Sequence, residues 1–123
     1  MHPLESKNTN FNKSKLINAY LRIGGEFLRE NQKDSAKYYY ENAMDVEALD
    51  EKSLSYQASV STNLSGLYMQ DSLYDLAKNF AIKAVVIHKK RNNKVSQAAA
   101  KGNLASILLD QNNYKEAKRT YKE

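Results

Sequence analysis

The chain has 123 residues with a formal net charge of +5, 27% charged and 41% apolar, the size and balance of one ordinary globular or repeat domain. It holds no cysteine and two histidines, His2 and His88, which excludes disulfides, thiol catalysis and cysteine-based zinc or iron–sulfur centres and leaves too few ligands for a His-rich metal site. The longest apolar run, Ala84-Val85-Val86-Ile87, is far short of a membrane span. The polar start, residues 1–12, has no signal-peptide core, so a cytoplasmic protein without metal or cofactor is expected.

Four glycines and a single proline, Pro3, are too little loop chemistry for an all-β domain. After the polar tail, apolar residues recur at intervals of three and four, which puts each set on one side of a helix. Leu16, Tyr20, Ile23 and Phe27 form the first stripe, and Ala36, Tyr40, Ala43 and Ala48 the second. Val60, Leu64, Leu67 and Tyr68 form the third, Leu76, Phe80, Ala84 and Ile87 the fourth, and Ala100, Leu104, Ile107 and Leu108 the fifth. Polar breaks separate them, with Asp34 or Ser35, Asp71 or Ser72, and Asn113 as candidate caps for the helices that follow. The pattern predicts six helices over about 13–30, 34–49, 53–70, 73–91, 94–111 and 114–123, an all-α fold. Short connections predict that neighbouring helices form antiparallel hairpins.

Charge is uneven along the chain. Residues 1–51 hold seven Lys/Arg against nine Asp/Glu, a net of −2, and residues 52–123 hold twelve against five, a net of +7. Such asymmetry can steer an acidic partner, although each charge run also reads as a solvated helix face.

Stepping by 41 and then 40 residues aligns the chain with itself. Arg22 falls on Asn63 and Asn103, Ile23 on Leu64 and Leu104, Gly24 on Ser65 and Ala105, Phe27 on Tyr68 and Leu108, Ala36 on Ala77 and Ala117, and Tyr40 on Ala81 and Tyr121. A fixed period in this range marks a stacked solenoid. The first unit reads Tyr20, Ile23-Gly24, Phe27, then Ala36 and Tyr40, and the small residue and the alanine are 12 apart in all three units.

With these residues the chain, over about 13–123, resembles the tetratricopeptide repeat family. The period exceeds the family's usual 34 or so by about two helical turns, as in its longer-helix variants, and the excess lies after the alanine of the second helix, in that helix or in the link beyond it. The resemblance implies a right-handed α-solenoid of about three units, 13–52, 53–93 and 94–123, the last incomplete at Glu123. That stop raises the expectation of a fragment of a longer protein, or of pairing with another copy. Gly24, Ser65 and Ala105 are expected as the small faces of the first helices and Ala36, Ala77 and Ala117 as those of the second, with Phe27, Tyr68 and Leu108 filling the space between.

In this architecture the first helices line a concave groove. Arg22, Asn63 and Asn103, next to the packed Ile23, Leu64 and Leu104, are expected to point into it, with Arg29, Gln70 and Ser106 one turn along. Side-chain amides suit a peptide backbone, and guanidinium suits a carboxylate or phosphate. Three other features read as structural. His88-Lys89-Lys90-Arg91 and Lys94 complement a helix C-terminus. Tyr38-Tyr39-Tyr40 point 100° apart and cannot form one stacking platform, with Tyr40 core by the alignment. Glu26, Glu30, Asp34, Glu41 and Asp45 are near enough to basic residues to be ion-paired. The expectation is a non-catalytic module that binds a protein or peptide. A second is the sensory or dimerising part of a larger bacterial regulator or sensor kinase, and a weaker third is nucleic-acid contact through the basic half.

Overall fold

The computed structural model describes residues 10–111 and 114–122, and every regular element among them is an α-helix. These are α1 (Asn10–Arg29), α2 (Lys33–Met44), α3 (Glu51–Gln70), α4 (Tyr74–Lys90), α5 (Lys94–Asp110) and α6 (Tyr114–Lys122). The 3.6-residue periodicity therefore reads the helices to within a few residues, except at the end of α2.

One turn is used three times. At Asn31, Ser72 and Asn92 the backbone enters the left-handed region, with φ of 60°, 59° and 58°. Each time two crossed bonds close the preceding helix. Gln32 N–H donates to Phe27 O at 2.8 Å and Asn31 N–H to Leu28 O at 3.0 Å. Leu73 and Ser72 repeat this onto Tyr68 and Met69, at 2.9 and 3.0 Å, and Asn93 and Asn92 onto His88 and Lys89, at 3.1 and 3.0 Å. This is the Schellman geometry, which satisfies the last carbonyls of a helix.

The turn also fixes the next helix start, and here the expected caps are corrected. The residue after the left-handed one is already the N-cap, which is Gln32 before α2 and Leu73 before α4, and neither side chain caps. Asp34 and Ser35 thus fall inside α2, and Asp71 and Ser72 fall in the turn before the cap. Asp34 still favours the positive end of α2 and lies 3.6 Å from Lys37 Nζ. Where the third turn supplies Asn93, its Oδ1 does accept from Ser96 N–H at 3.0 Å. The candidate cap Asn113 lies outside the described residues.

α2 stops at Met44, five residues short of the expected end, because a side chain takes over its carbonyls. The buried Gln57 of α3 donates from Nε2 to Val46 O at 2.6 Å and Ala43 O at 3.0 Å, with Met44 O at 3.4 Å. Residues 45–50 then form a link rather than more helix. Lys13 Nζ holds Glu47 Oε1 at 2.8 Å, a pairing that keeps the Glu47 carboxyl below the usual carboxylate range. Asp50 Oδ1 accepts from Ser53 N–H at 3.0 Å to start α3. The excess of the long period thus goes into a link after α2. After α4, which has 17 residues to the 12 of α2, it goes into the helix itself.

The chain divides into two units, up to Val60 and from Ser61, with the division inside α3. In the first, α1 packs on α2. The contact centres on Gly24, where an added Cβ would stand 2.5 Å from Cε1 and 2.7 Å from Cδ1 of Tyr40. Only a residue without a side chain fits there, and Tyr40 is 1% exposed. Ala36 and Ala43 are buried on the same face of α2, and Leu16 and Ile17 on α1. Tyr39 stacks on Phe27, with centroids 5.5 Å apart and planes 11° apart, and meets Tyr20 at 6.4 Å, while Tyr38 stands exposed against the Tyr39 edge.

In the second unit, α4 packs on α5 and α5 on α6. Ser65 Oγ donates to Ala77 O at 2.9 Å, and Tyr68 stacks on Phe80 at 5.7 Å. Here the small position of α3 meets that of α4, and Ala105 is fully buried beside Leu108. The Ala117 and Tyr121 side chains lie outside the described set.

Two expected core residues are exposed. Ile23 is 39% and Leu76 41% exposed. The contact lines run through the small residues beside them, Gly24 on α1 and Ala77, Ala81 and Ala84 on α4. A neighbour in sequence is 100° around the helix, so each large residue is turned to the flank.

Candidate functional site

The repeat alignment equates Gly24 with Ser65 and Tyr40 with Ala81. In the first unit the Tyr40 ring covers Gly24, and its hydroxyl comes within 3.9 Å of a Cβ built on Gly25. In the second unit the three counterparts, Ser65, Gly66 and Ala81, leave an opening. A pocket of about 310 Å³ is lined by Thr62, Ser65, Gly66 and Met69 of α3, Ala81 and Ala84 of α4, and Ala100, Asn103, Ser106 and Ile107 of α5. The α3 residues recur at three, four and seven and those of α5 at three, six and seven, one face of each helix. The size lies at the lower end for sites that hold small ligands or single anchoring groups.

The floor is apolar, with Ala81, Ala84 and Ala100 each buried. The Ser65 hydroxyl is engaged with the Ala77 carbonyl. Asn103 and Ser106, nearly one turn apart on α5 and both exposed, bring an amide and a hydroxyl to the rim. An exposed Gly66 lies opposite on α3, where an added Cβ would meet nothing within 4 Å. No wall residue carries an ionisable side chain. The walls offer apolar surface, two amide donors and an acceptor at Asn103, and hydroxyls, which is equipment for holding a group in place.

Of the six expected groove residues, the structure gathers Asn103 and Ser106 at this pocket. Asn63 and Gln70 are exposed on α3 but are not among its walls. Arg22 and Arg29 belong to the first unit, both exposed on α1. The Arg29 guanidinium is ion-paired with Glu26 on its own helix, which raises its pKa further above the ordinary arginine value. The wall residues Ala81, Ala84, Met69 and Thr62 were not expected as site residues. Their signal was a break in the alignment, where an alanine, Ala81, stands for the tyrosine at position 40.

Elsewhere the titratable groups have local roles. Arg91 donates to His88 Nδ1 at 2.9 Å at the end of α4, whose last turn also holds Lys89 and Lys90. Among the described residues, no three His, Asp or Glu side chains are grouped to hold a metal ion, and no helix is long and apolar enough to cross a membrane. The sequence matches no protein-family model, and neither the curated proteins nor the solved structures offer a match.

Proposed function

We propose that this chain is a peptide-binding helical repeat of the tetratricopeptide type, acting in the cytoplasm. Its helices pair as antiparallel hairpins and stack as a solenoid. The fixed 12-residue spacing of small residue and alanine and the recurring Schellman turns support that arrangement. The observation that carries the function is the pocket among α3, α4 and α5, with its apolar floor and the Asn103 amide and Ser106 hydroxyl at its rim. An extended peptide has apolar side chains to bury and backbone groups to pair, and this combination serves both needs.

The test is selection from a phage-displayed library of random peptides on the immobilised chain. Synthetic copies of the enriched peptides are then measured on the wild type, on Asn103→Ala/Ser106→Ala and on Gly66→Leu. The proposal expects a recurrent peptide pattern whose affinity drops at least tenfold in both variants, with each variant folded by circular dichroism. Absence of enrichment, or equal affinity for all three proteins, would refute it.

A further inference from the structure

We infer that the pocket takes an aromatic side chain, tyrosine or phenylalanine, from an acidic peptide segment of a partner protein. This rests on the peptide-binding reading above and specifies its ligand. The fold itself supplies the template. In the first unit the space over the small residue of α1 is filled by a tyrosine ring, with Tyr40 packed against Gly24 and its hydroxyl directed toward Gly25. In the second unit Ser65 and Gly66 occupy the same positions, the tyrosine is replaced by Ala81, and all three line the open pocket. An aromatic ring from outside would restore against α3 and α4 the kind of contact that Tyr40 makes within its own hairpin.

The walls agree with such a guest. They are apolar where a ring needs burial, and the polar groups of Asn103 and Ser106 lie at the rim, where a tyrosine hydroxyl or the peptide backbone can meet them. Charge specifies the flanking residues. Residues 61–123 hold eleven Lys/Arg against five Asp/Glu, while the walls hold neither. Lys83 and Lys101 are sequence neighbours of the wall residues Ala84 and Ala100. The pocket therefore selects a neutral ring, and its surroundings favour acidic residues on either side of that ring.

The experiment uses four blocked pentapeptides, Asp-Glu-X-Asp-Glu with X as Tyr, Phe, Leu or Ala, titrated into the ¹⁵N-labelled full chain and followed by amide shifts. The inference expects the Tyr and Phe peptides to move the amides of Ala81, Ala84 and Ser106 and to bind at least tenfold more tightly than the Ala peptide, with Leu between. Binding should be lost in Ser65→Gly/Ala81→Tyr, which rebuilds the first unit's packing. It should also be lost in Gly66→Leu, which blocks the mouth where nothing is packed and so keeps the test intact if the double variant misfolds. Equal binding of all four peptides, weakened by Asn103→Ala, would overturn the aromatic anchor and leave peptide binding standing. Absence of any shift at the pocket with all four peptides would overturn the anchor, and failure of the phage selection alongside it would remove the peptide reading as well.

Discussion

The helix pairs α1–α2 and α3–α4 share one sequence register and solve one packing problem differently. At the first, a glycine and a tyrosine meet, and the ring closes the space, with Gly24 bare beneath it and Tyr40 almost wholly buried. At the second, a serine and an alanine stand in their places. The serine gains a hydrogen bond to the Ala77 carbonyl, and the space above stays open as a pocket. The lengths differ in parallel. α2 is cut short by Gln57 and followed by a link, whereas α4 runs on to 17 residues and ends in a Schellman turn. With alanine in place of the tyrosine, the space that the ring closes in the first pair is left open in the second.

The largest effect is expected from making the first helix pair like the second. Tyr40→Ala removes a fully buried ring from a site held rigid on both sides. Urea denaturation should show a loss of about 3–5 kcal/mol, the range for deleting a large buried aromatic side chain. A loss below about 1 kcal/mol would mean that the ring is not the centre of the packing. Next is Gln57→Leu, which keeps the size but removes the side-chain donor from the Val46 and Ala43 carbonyls, leaving Ala43 O the long Val46 N–H bond at 3.4 Å, at about 1–3 kcal/mol for an unsatisfied group. Hydrogen exchange should then speed up at the end of α2 before it does elsewhere in the first unit.

Gly24→Ala sharpens the contrast. A methyl group there collides with the Tyr40 ring, so overpacking at about 1–3 kcal/mol should outweigh the gain of up to about 1 kcal/mol from replacing a helical glycine. The same change at Gly66, which has open space, should stabilise, so thermal melts of the two variants should move in opposite directions. The smallest effect is expected at the turns. Ser72→Gly relieves a left-handed φ that costs a side chain about 1–2 kcal/mol, and after the added flexibility of the unfolded chain a gain of about 0.5 kcal/mol should remain in the melting curve.

Much of this fold was legible in the residues. The stripes and polar breaks placed all six helices, because period and punctuation are local properties. The small-residue register at Gly24, Ser65, Ala36 and Ala77 was legible too, because close helix approach leaves a mark in side-chain size. The exposure of Ile23 and Leu76 was not, since a stripe drawn through the large residues misses a contact that runs through the small ones. The capping of α2 by Gln57 was also hidden, because it joins residues that no short-range pattern connects. Asn103 and Ser106 were expected in a groove, and both line the pocket. Arg22 and Arg29, which share that expectation by repeat position, belong to the first unit.

By the register, the pocket corresponds to the space that Tyr40 fills in the α1–α2 pair. A double-mutant cycle at positions 65 and 81, read by urea denaturation, tests it most directly. If the two spaces are equivalent, Ala81→Tyr stabilises only in the presence of Ser65→Gly, and the two changes couple favourably by about 1 kcal/mol or more. Strictly additive effects, or an Ala81→Tyr that is equally tolerated beside Ser65 and beside the glycine, would contradict it.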